Sequence, residues 1–473
     1  MIMTRRELLA ASAGSLAGSP PARAASRKTN VIMFMTDDHG AWAMGAYGCK
    51  EIQTPNLDKL AAGGARFTRA FASTPVCSPS RMTYMTGKLP SLHGVQDWLI
   101  PQDAFGERSI RFLDGHTTYA EILARNGYKL GMCGKWHMGD DDKAQRGFSY
   151  WHTVPGGGGT YKDAEFVTNG KKQVLEGYKT DRVADGAIDF LNQVREQPFY
   201  LLVPFYAPHT PFNYQPEEYR KPYADSKFAC FPDTPMHDWQ NPGLASHHGN
   251  RDSKLAYSAL ITGMDHNVGR ILQRLDELKL REDTLIVFTS DQGWNAGHHG
   301  VWGKGNGTWP LNMYEESLRV PLIWNHPKRI KAGQTVPAMV SSYDYFPTIL
   351  DYLGMPSHKD SKLLGQSYVG AMTGGRIPAR RRLYFEYEFV RGIRTENLKY
   401  IERTKEWPSE LYDLEADPGE SKNVIADAGY AKQLATLRAD LQGAFQKMGA
   451  PPIEDWRGTT RQKLTVYRQR EKP

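Results

Sequence analysis

Cysteine is scarce in this sequence. Only Cys49, Cys77, Cys133 and Cys230 occur in 473 residues. That excludes a small scaffold stapled by disulfides and leaves stability to a hydrophobic core. Long apolar runs are missing as well. The stretch Leu8 to Ala17 is short of the roughly twenty residues needed to cross a bilayer, and no later segment reads as membrane-spanning, so stable membrane insertion is not expected. Charge is not concentrated either: 59 Lys and Arg against 52 Asp and Glu give a net +7, with the basic residues dispersed. Without a basic tract interleaved with aromatics, no nucleic-acid partner is expected. No internal repeat is present. What remains is the composition of an ordinary globular protein, 11% aromatic and 23% charged, long enough for one large domain and a smaller one.

The N-terminus carries Arg5-Arg6, then the short apolar run, then Ala22-Arg23-Ala24 as a cleavage signature. Residues 1–24 therefore read as a twin-arginine export signal, and the protein as exported, periplasmic or extracellular.

Beyond it, Asn30 to Thr36 is continuously apolar up to Thr36, the pattern of a strand buried on both faces, and it runs into Asp37-Asp38. Thr54-Pro55 opens a helix with Thr54 as N-cap and Pro55 at its first position. Phe67 to Phe71, Tyr128 to Cys133, Phe199 to Phe205, Thr284 to Thr289 and Val320 to Trp324 read as further strands. Thr117 to Asn126, Thr180 to Arg195, Ser253 to Leu280 and Asp344 to Leu353 read as helices. Gly156 to Gly159 is expected as a flexible loop at a site's rim, and 212–250, rich in Pro, Asp, Asn and His, as a surface insertion. From about Arg380, short strands follow without intervening helices and a helix over Ala428 to Met448 closes the chain. The expected fold is α/β: a large, mostly parallel sheet flanked by helices over 28–375, and a smaller α+β domain, an antiparallel sheet plus helix, over 376–473.

In a parallel sheet the C-terminal strand ends share one edge, where ligand sites form. Four strand ends carry polar clusters: Asp37-Asp38, Lys135 with His137, His209, and Asp291-Gln292. To these the chain adds Cys77-Ser78-Pro79-Ser80-Arg81, a cysteine at an expected helix start with Arg81 one turn on. A cysteine-phosphatase loop needs five residues between Cys and Arg, and here there are three. Asp37, Asp38, Asp291 and the Gln292 carbonyl make an all-oxygen donor set that favours Ca²⁺, or Mg²⁺, over zinc. Arg81, Lys135, Lys304, His137 and His209 would turn such a pocket toward a small tetrahedral anion.

Together with Gly134-Lys135-Trp136-His137, Ala207-Pro208-His209, Ser290-Asp291-Gln292-Gly293, Gly303-Lys304-Gly305, Val320-Pro321-Leu322-Ile323 and Leu411-Tyr412-Asp413-Leu414, these stretches resemble, in family order, the type I sulfatases of the alkaline-phosphatase-like superfamily. The resemblance implies that Cys77 is oxidised to formylglycine by a maturation enzyme, leaving three cysteines and at most one disulfide. Asp37, Asp38, Asp291 and Gln292 would hold the metal with residue 77. Arg81 and Lys135 would steady residue 77, Lys135 and Lys304 would bind sulfate, His209 with Lys304 would protonate the leaving alcohol, and His137 would take a proton from the second hydroxyl. Gln292 departs from the family's commoner asparagine or histidine. His93 and His299 could meet substrate or be ordinary loop histidines, and Arg391 is a rim candidate. The expected activity is hydrolysis of a sulfate ester, on a sulfated carbohydrate rather than a small aryl sulfate. The alternatives are a phosphonate monoester or phosphodiester hydrolase, and a non-catalytic protein that binds glycans or anions.

Overall fold

The protein is described by a computed structural model over residues 28–360, 362–377 and 379–455. The export-signal reading of residues 1–24 lies outside the described residues.

In chain order the strands are β1 (Asn30–Thr36), β2 (Ala65–Phe71), β3 (Lys129–Lys135), β4 (Phe148–Val154), β5 (Lys162–Thr168), β6 (Lys171–Tyr178), β7 (Phe199–Pro204) and β8 (Thr284–Ser290). They continue with β9 (Asn295–Ala296), β10 (Trp302–Gly303), β11 (Leu322–Asn325), β12 (Gln334–Ser341), β13 (Leu383–Tyr387), β14 (Val390–Arg394), β15 (Leu398–Arg403) and β16 (Glu410–Asp413). Ten of them form one sheet in the order β12-β2-β11-β8-β1-β7-β3-β4-β5-β6. The apolar β1 sits at its centre, parallel to β7 and β8, and every one of its residues is buried.

Alternation along the central strands divides the interior in two. Ile32 and Phe34 of β1, Leu201 and Val203 of β7, and Ile286 and Phe288 of β8 face one core. There the helices Lys179–Gln193 and Arg251–Glu277 cover them with Phe190, Leu260, Met264 and Ile271. Val31 and Met33, Tyr200 and Leu202, and Leu285 and Val287 face the other. That side is closed by Met82 and Met85 of α2 (Cys77–Thr86), by Leu123 of the helix Tyr119–Arg125 and by Ile349 of the helix Tyr345–Tyr352.

The sheet is less uniform than the sequence predicts. β11 runs antiparallel between β8 and β2, which leaves β2 pointing the same way as β8 and delivers its end to the shared edge. On either side of the glycine loop at Gly156 to Gly159, residues 148–178 form β4, β5 and β6, strands the sequence did not predict. The β5–β6 hairpin turns on Asn169-Gly170, both at positive φ, the residue pair that two-residue hairpins prefer. Thr54 stands at the N-cap of α1 (Pro55–Ala62), but makes no cap bond. Its hydroxyl donates to Asp58 at 3.1 Å and accepts the Gly45 N–H at 2.9 Å.

Strands β13–β16 form an antiparallel four-stranded sheet covered by Leu437, Leu441 and Phe445 of the helix Ala431–Lys447. Its core also takes in Phe71 and Val76, the two ends of the loop that delivers Cys77. The Glu386 N–H of β13 donates to Ser73 O in that loop at 3.0 Å. The small sheet thus props the segment leading to α2.

Candidate active site

The predicted convergence is present at the C-terminal edge of the sheet. β1 ends in Asp37-Asp38, β8 in Asp291-Gln292, and β3 in Lys135 with His137 two residues on. His209 follows β7, Lys304 follows the β10 ribbon, and Cys77 is the first residue of α2. Val76 at its N-cap has no polar side chain and no side-chain cap bond forms there. The positive end of α2 therefore lies at residue 77, where it favours an anion.

Around Cys77 the charges interleave. Its thiol donates to Asp37 Oδ1 at 3.2 Å, and Lys304 Nζ reaches Sγ at 2.8 Å and Asp38 Oδ1 at 2.6 Å. Lys135 pairs with Asp37. Arg81 places Nε and a terminal nitrogen each 2.8 Å from Asp291 Oδ2, with that nitrogen 3.4 Å from Asp37 Oδ2. Three buried carboxylates face three buried cations. Burial, followed by the Asp37 charge, pushes the Cys77 thiol up to about 12. As encoded, residue 77 is a neutral thiol and a poor nucleophile. Burial opposes the Lys304 charge, yet Asp38, residue 77 and Asp37 raise its ammonium well above the usual range. It stays a cation throughout the neutral range.

Each histidine commits one ring nitrogen. His137 Nε2 lies 2.8 Å from Leu99 O and donates to it, which leaves Nδ1 buried without a hydrogen-bond partner. His209 Nδ1 bonds Thr210 O, and Nε2 sits 3.7 Å from Asp38 Oδ2 at the cavity floor. Gly157 packs so close to the His137 ring that a Cβ there would stand 2.2 Å from it. The expected rim glycines are thus a wall fitted to a site histidine.

The donor set passes a physical test for a hard divalent cation. Asp38 Oδ2 and Gln292 Oε1 are buried without a hydrogen-bond donor, a costly state for polar oxygens. Ligand atoms from Asp37, Asp38, Cys77 and His209 all lie within 4.8 Å of one another. The Gln292 amide turns Nε2 to Asp38 Oδ1 at 2.6 Å. Rotation about its terminal bond would offer Oε1 instead, a change that places one more oxygen in the cluster. Asp291 stands beside it, its Oδ2 held by Arg81 and its Oδ1 accepting the Gln292 N–H at 2.9 Å. A second group, His299, Glu316 and Glu420, already has Lys399 paired with Glu420 and so lacks the uncompensated charge a cation needs.

Above the floor opens a cavity of about 470 Å³. Cys77, Asp38, His137, His209 and Lys304 line its base, and Trp98, Leu244 and Trp294 supply apolar wall with Asn241 and Asn306 as polar points. The tryptophans and asparagines were not singled out by the sequence reading: Trp98, Asn241 and Leu244 come from loops with no strand-end signature, and Trp294 and Asn306 follow the Asp291-Gln292 and Lys304 stretches without a charge to flag them. Lys179 was also missed. It opens a helix, where lysine normally meets solvent, but here it is buried 4.0 Å over the Tyr206 ring. Burial, then Lys135, pushes it down to about 7.

The rim candidate Arg391 and the two histidines that could have met substrate, His93 and His299, are held elsewhere and do not line this cavity. Arg391 lies 4.0 Å over Phe445 and pairs with Glu386 at 3.2 Å. His299 stacks on Tyr314 at 4.2 Å and bonds Glu316 at 2.5 Å. His93 is buried behind α2, with Nδ1 accepting the Val95 N–H at 3.2 Å. Burial, with His116 adding to it, pushes His93 down to about 3. The unfolded chain gains a proton at this residue as pH falls through about 6.5, and the folded chain does not until about 3. Stability at this residue is therefore full above neutrality and drains in acid. Between pH 7 and 5 the parent should lose about 2 kcal/mol more than His93→Gln; urea unfolding of both at the two pH values checks this, and equal losses would contradict it.

Comparison with known proteins matches two family models: the sulfatase domain over residues 29–355, and the C-terminal region of N-sulphoglucosamine sulphohydrolase over 297–447. An N-acetylglucosamine-6-O-sulfatase of Bacteroides thetaiotaomicron is 30% identical, covering 91% of this chain and 88% of its own. Human arylsulfatase A is 28% identical, over 93% and 92%. A solved structure in complex with its substrate D-glucosamine-2-N,6-O-disulfate superposes with a TM-score of 0.79 at 27% identity, covering 91% of this chain and all of that one.

Proposed function

From the premise that this chain belongs to the sulfatase family and is a sulfuric ester hydrolase, we propose that it releases inorganic sulfate from a sulfated carbohydrate, with a 6-O-sulfated glucosamine as the first substrate to test. The observation that carries this reading is the cavity. The Lys304 ammonium beside residue 77 on the floor suits the sulfate, and tryptophan faces with asparagine side chains suit a sugar ring. The match to an N-acetylglucosamine-6-O-sulfatase across nearly the whole chain supports the amino-sugar class.

In this reading a maturation enzyme converts Cys77 to formylglycine. Its hydrated aldehyde supplies a hydroxyl to attack sulfur and a second hydroxyl whose loss of a proton expels the sulfate. Asp37, Asp38, Asp291 and Gln292 would hold Ca²⁺ or Mg²⁺ with residue 77, and that cation supplies a lowered pKa at the attacking oxygen. The remaining work falls to the chain's own groups. Lys304, already on residue 77, and Lys135, on Asp37, fix the sulfuryl oxygens by charge. Arg81 holds Asp291 and Asp37 in place beneath them. His209 faces the cavity through Nε2, and burial pushes its imidazole down to about 4; the proton for the leaving alcohol would therefore come from His209 acting with the Lys304 ammonium, which shares the Asp38 carboxylate with it. His137 has Nδ1 free to take the proton of the second hydroxyl. Read as an export signal, the twin-arginine pattern at Arg5-Arg6 would carry this chemistry outside the cytoplasm.

The test is sulfate release from position-defined sulfated monosaccharides, run beside an aryl sulfate and an aryl phosphodiester. Turnover of the 6-O-sulfated glucosamine should exceed that of the phosphodiester by about 10²-fold or more. A phosphodiester cleaved faster than every sulfate would overturn the proposal.

A further inference from the structure

Two cysteines play no part in this chemistry, and they lie side by side. Cys49 follows the helical turn Gly45–Tyr47, is buried, and belongs to the core that also holds Tyr223 and Tyr257. Cys230 comes from the insertion at 212–250, is half-buried, and packs against the same core. Their segments, roughly 180 residues apart in the chain, are tied by Glu51. One of its carboxylate oxygens accepts the Cys230 N–H at 2.9 Å and the other the Ser226 hydroxyl at 3.1 Å. Cys49 Sγ accepts the Ile52 N–H at 3.5 Å, next to Glu51, each of the two thiols perturbs the other, and both are free. Next to Cys230, the Phe231 ring meets Trp42 at 5.2 Å. The Trp42 indole N–H donates to the carbonyl of Trp294, a cavity residue, at 2.8 Å.

We infer that Cys49 and Cys230 are the halves of a disulfide, formed in the folded protein by a small-molecule disulfide oxidant, that pins the 212–250 insertion to the segment following Asp37-Asp38. The same insertion carries Asn241 and Leu244 into the cavity wall, so the link fixes one side of the substrate pocket. It does not depend on sulfatase chemistry. Cys230, the more accessible thiol, loses its proton and attacks the oxidant, expelling one thiolate and leaving a mixed disulfide. Cys49 then attacks the Cys230 sulfur. Its S–H proton leaves, the protein S–S bond forms, and the second thiolate departs. Two protein thiols are oxidised by two electrons and one oxidant disulfide is reduced to two thiols.

The test uses the full-length protein, reduced, freed of reductant and treated with glutathione disulfide. Its intact mass should fall by about 2 Da. A non-reducing tryptic digest should contain Thr29–Lys50 cross-linked to Phe228–Arg251, a species absent after dithiothreitol and from Cys230→Ser. The oxidised form should also melt a few degrees above the reduced form, because the cross-link restricts the unfolded chain. Recovery of both peptides as free thiols would overturn the inference. So would a stable gain of about 305 Da at Cys230, a mixed disulfide that never closes. Equal melting points would overturn the pinning role.

Discussion

Cys77→Ala eliminates sulfate release, lowering turnover by roughly 10⁴-fold or more, and leaves the protein folded. The size of the effect follows from what residue 77 touches. It sits at the positive end of α2 on the cavity floor, 3.2 Å from the Asp37 carboxylate and 2.8 Å from the Lys304 ammonium. The fold survives because alanine is helix-compatible at that position and removes a single sulfur from a site where Asp37 keeps Lys135 and Arg81, and Lys304 keeps Asp38. The stability cost should stay at about 1 kcal/mol. Sulfate release and a thermal melt on the same preparation check both halves. Substantial turnover in a folded variant would contradict the assignment of the nucleophile.

Lys304→Ala carries the second largest expected loss, about 10³-fold in kcat. The argument is a charge balance. Asp37, Asp38 and Asp291 oppose Arg81, Lys135 and Lys304 in a dry floor, and removing one cation tips that floor toward repelling a sulfate. Arg81 and Lys135 are bound first to Asp291 and Asp37. Lys304 alone among the three also lies on the reacting residue. The loss should appear in kcat more than in KM, since the charge acts where negative charge develops at sulfur and on the leaving oxygen. A variant that raises KM with kcat unchanged would show that Lys304 only helps substrate to bind.

The legible part of the molecule was the part in which one residue pattern meets one physical demand. β1 reads from sequence because a strand buried on both faces must be apolar at every step, and Asp37-Asp38 is conspicuous only because that run stops there. Cys77 and Arg81 read because a helix start and a one-turn spacing aim both at one point. The hairpin β5–β6 was not read, although its Asn169-Gly170 turn was in view, because an exposed edge hairpin has mixed polarity and lacks the apolar contrast that flags a strand. The cavity wall was not readable at all: Trp98, Asn241 and Trp294 come from distant loops whose meeting depends on the whole tertiary structure. His93 and His299 illustrate the converse. A histidine in a loop carries no mark that tells a pocket from a packed interior, and the fold sends these two to Thr83 and Glu316. Lys179 hid for the same reason, since a helix-opening lysine gives no sign that an aromatic ring will cover it.

The account turns on a cysteine that, as encoded, is held protonated by burial and by Asp37. The direct test is mass spectrometry of the tryptic peptide Ala70–Arg81 from protein that is turning over a sulfate ester. Conversion of the Cys77 thiol to the aldehyde lowers that peptide by about 18 Da, and this lighter form should account for the active fraction. Fully active protein in which the peptide carries only unmodified cysteine would contradict the mechanism.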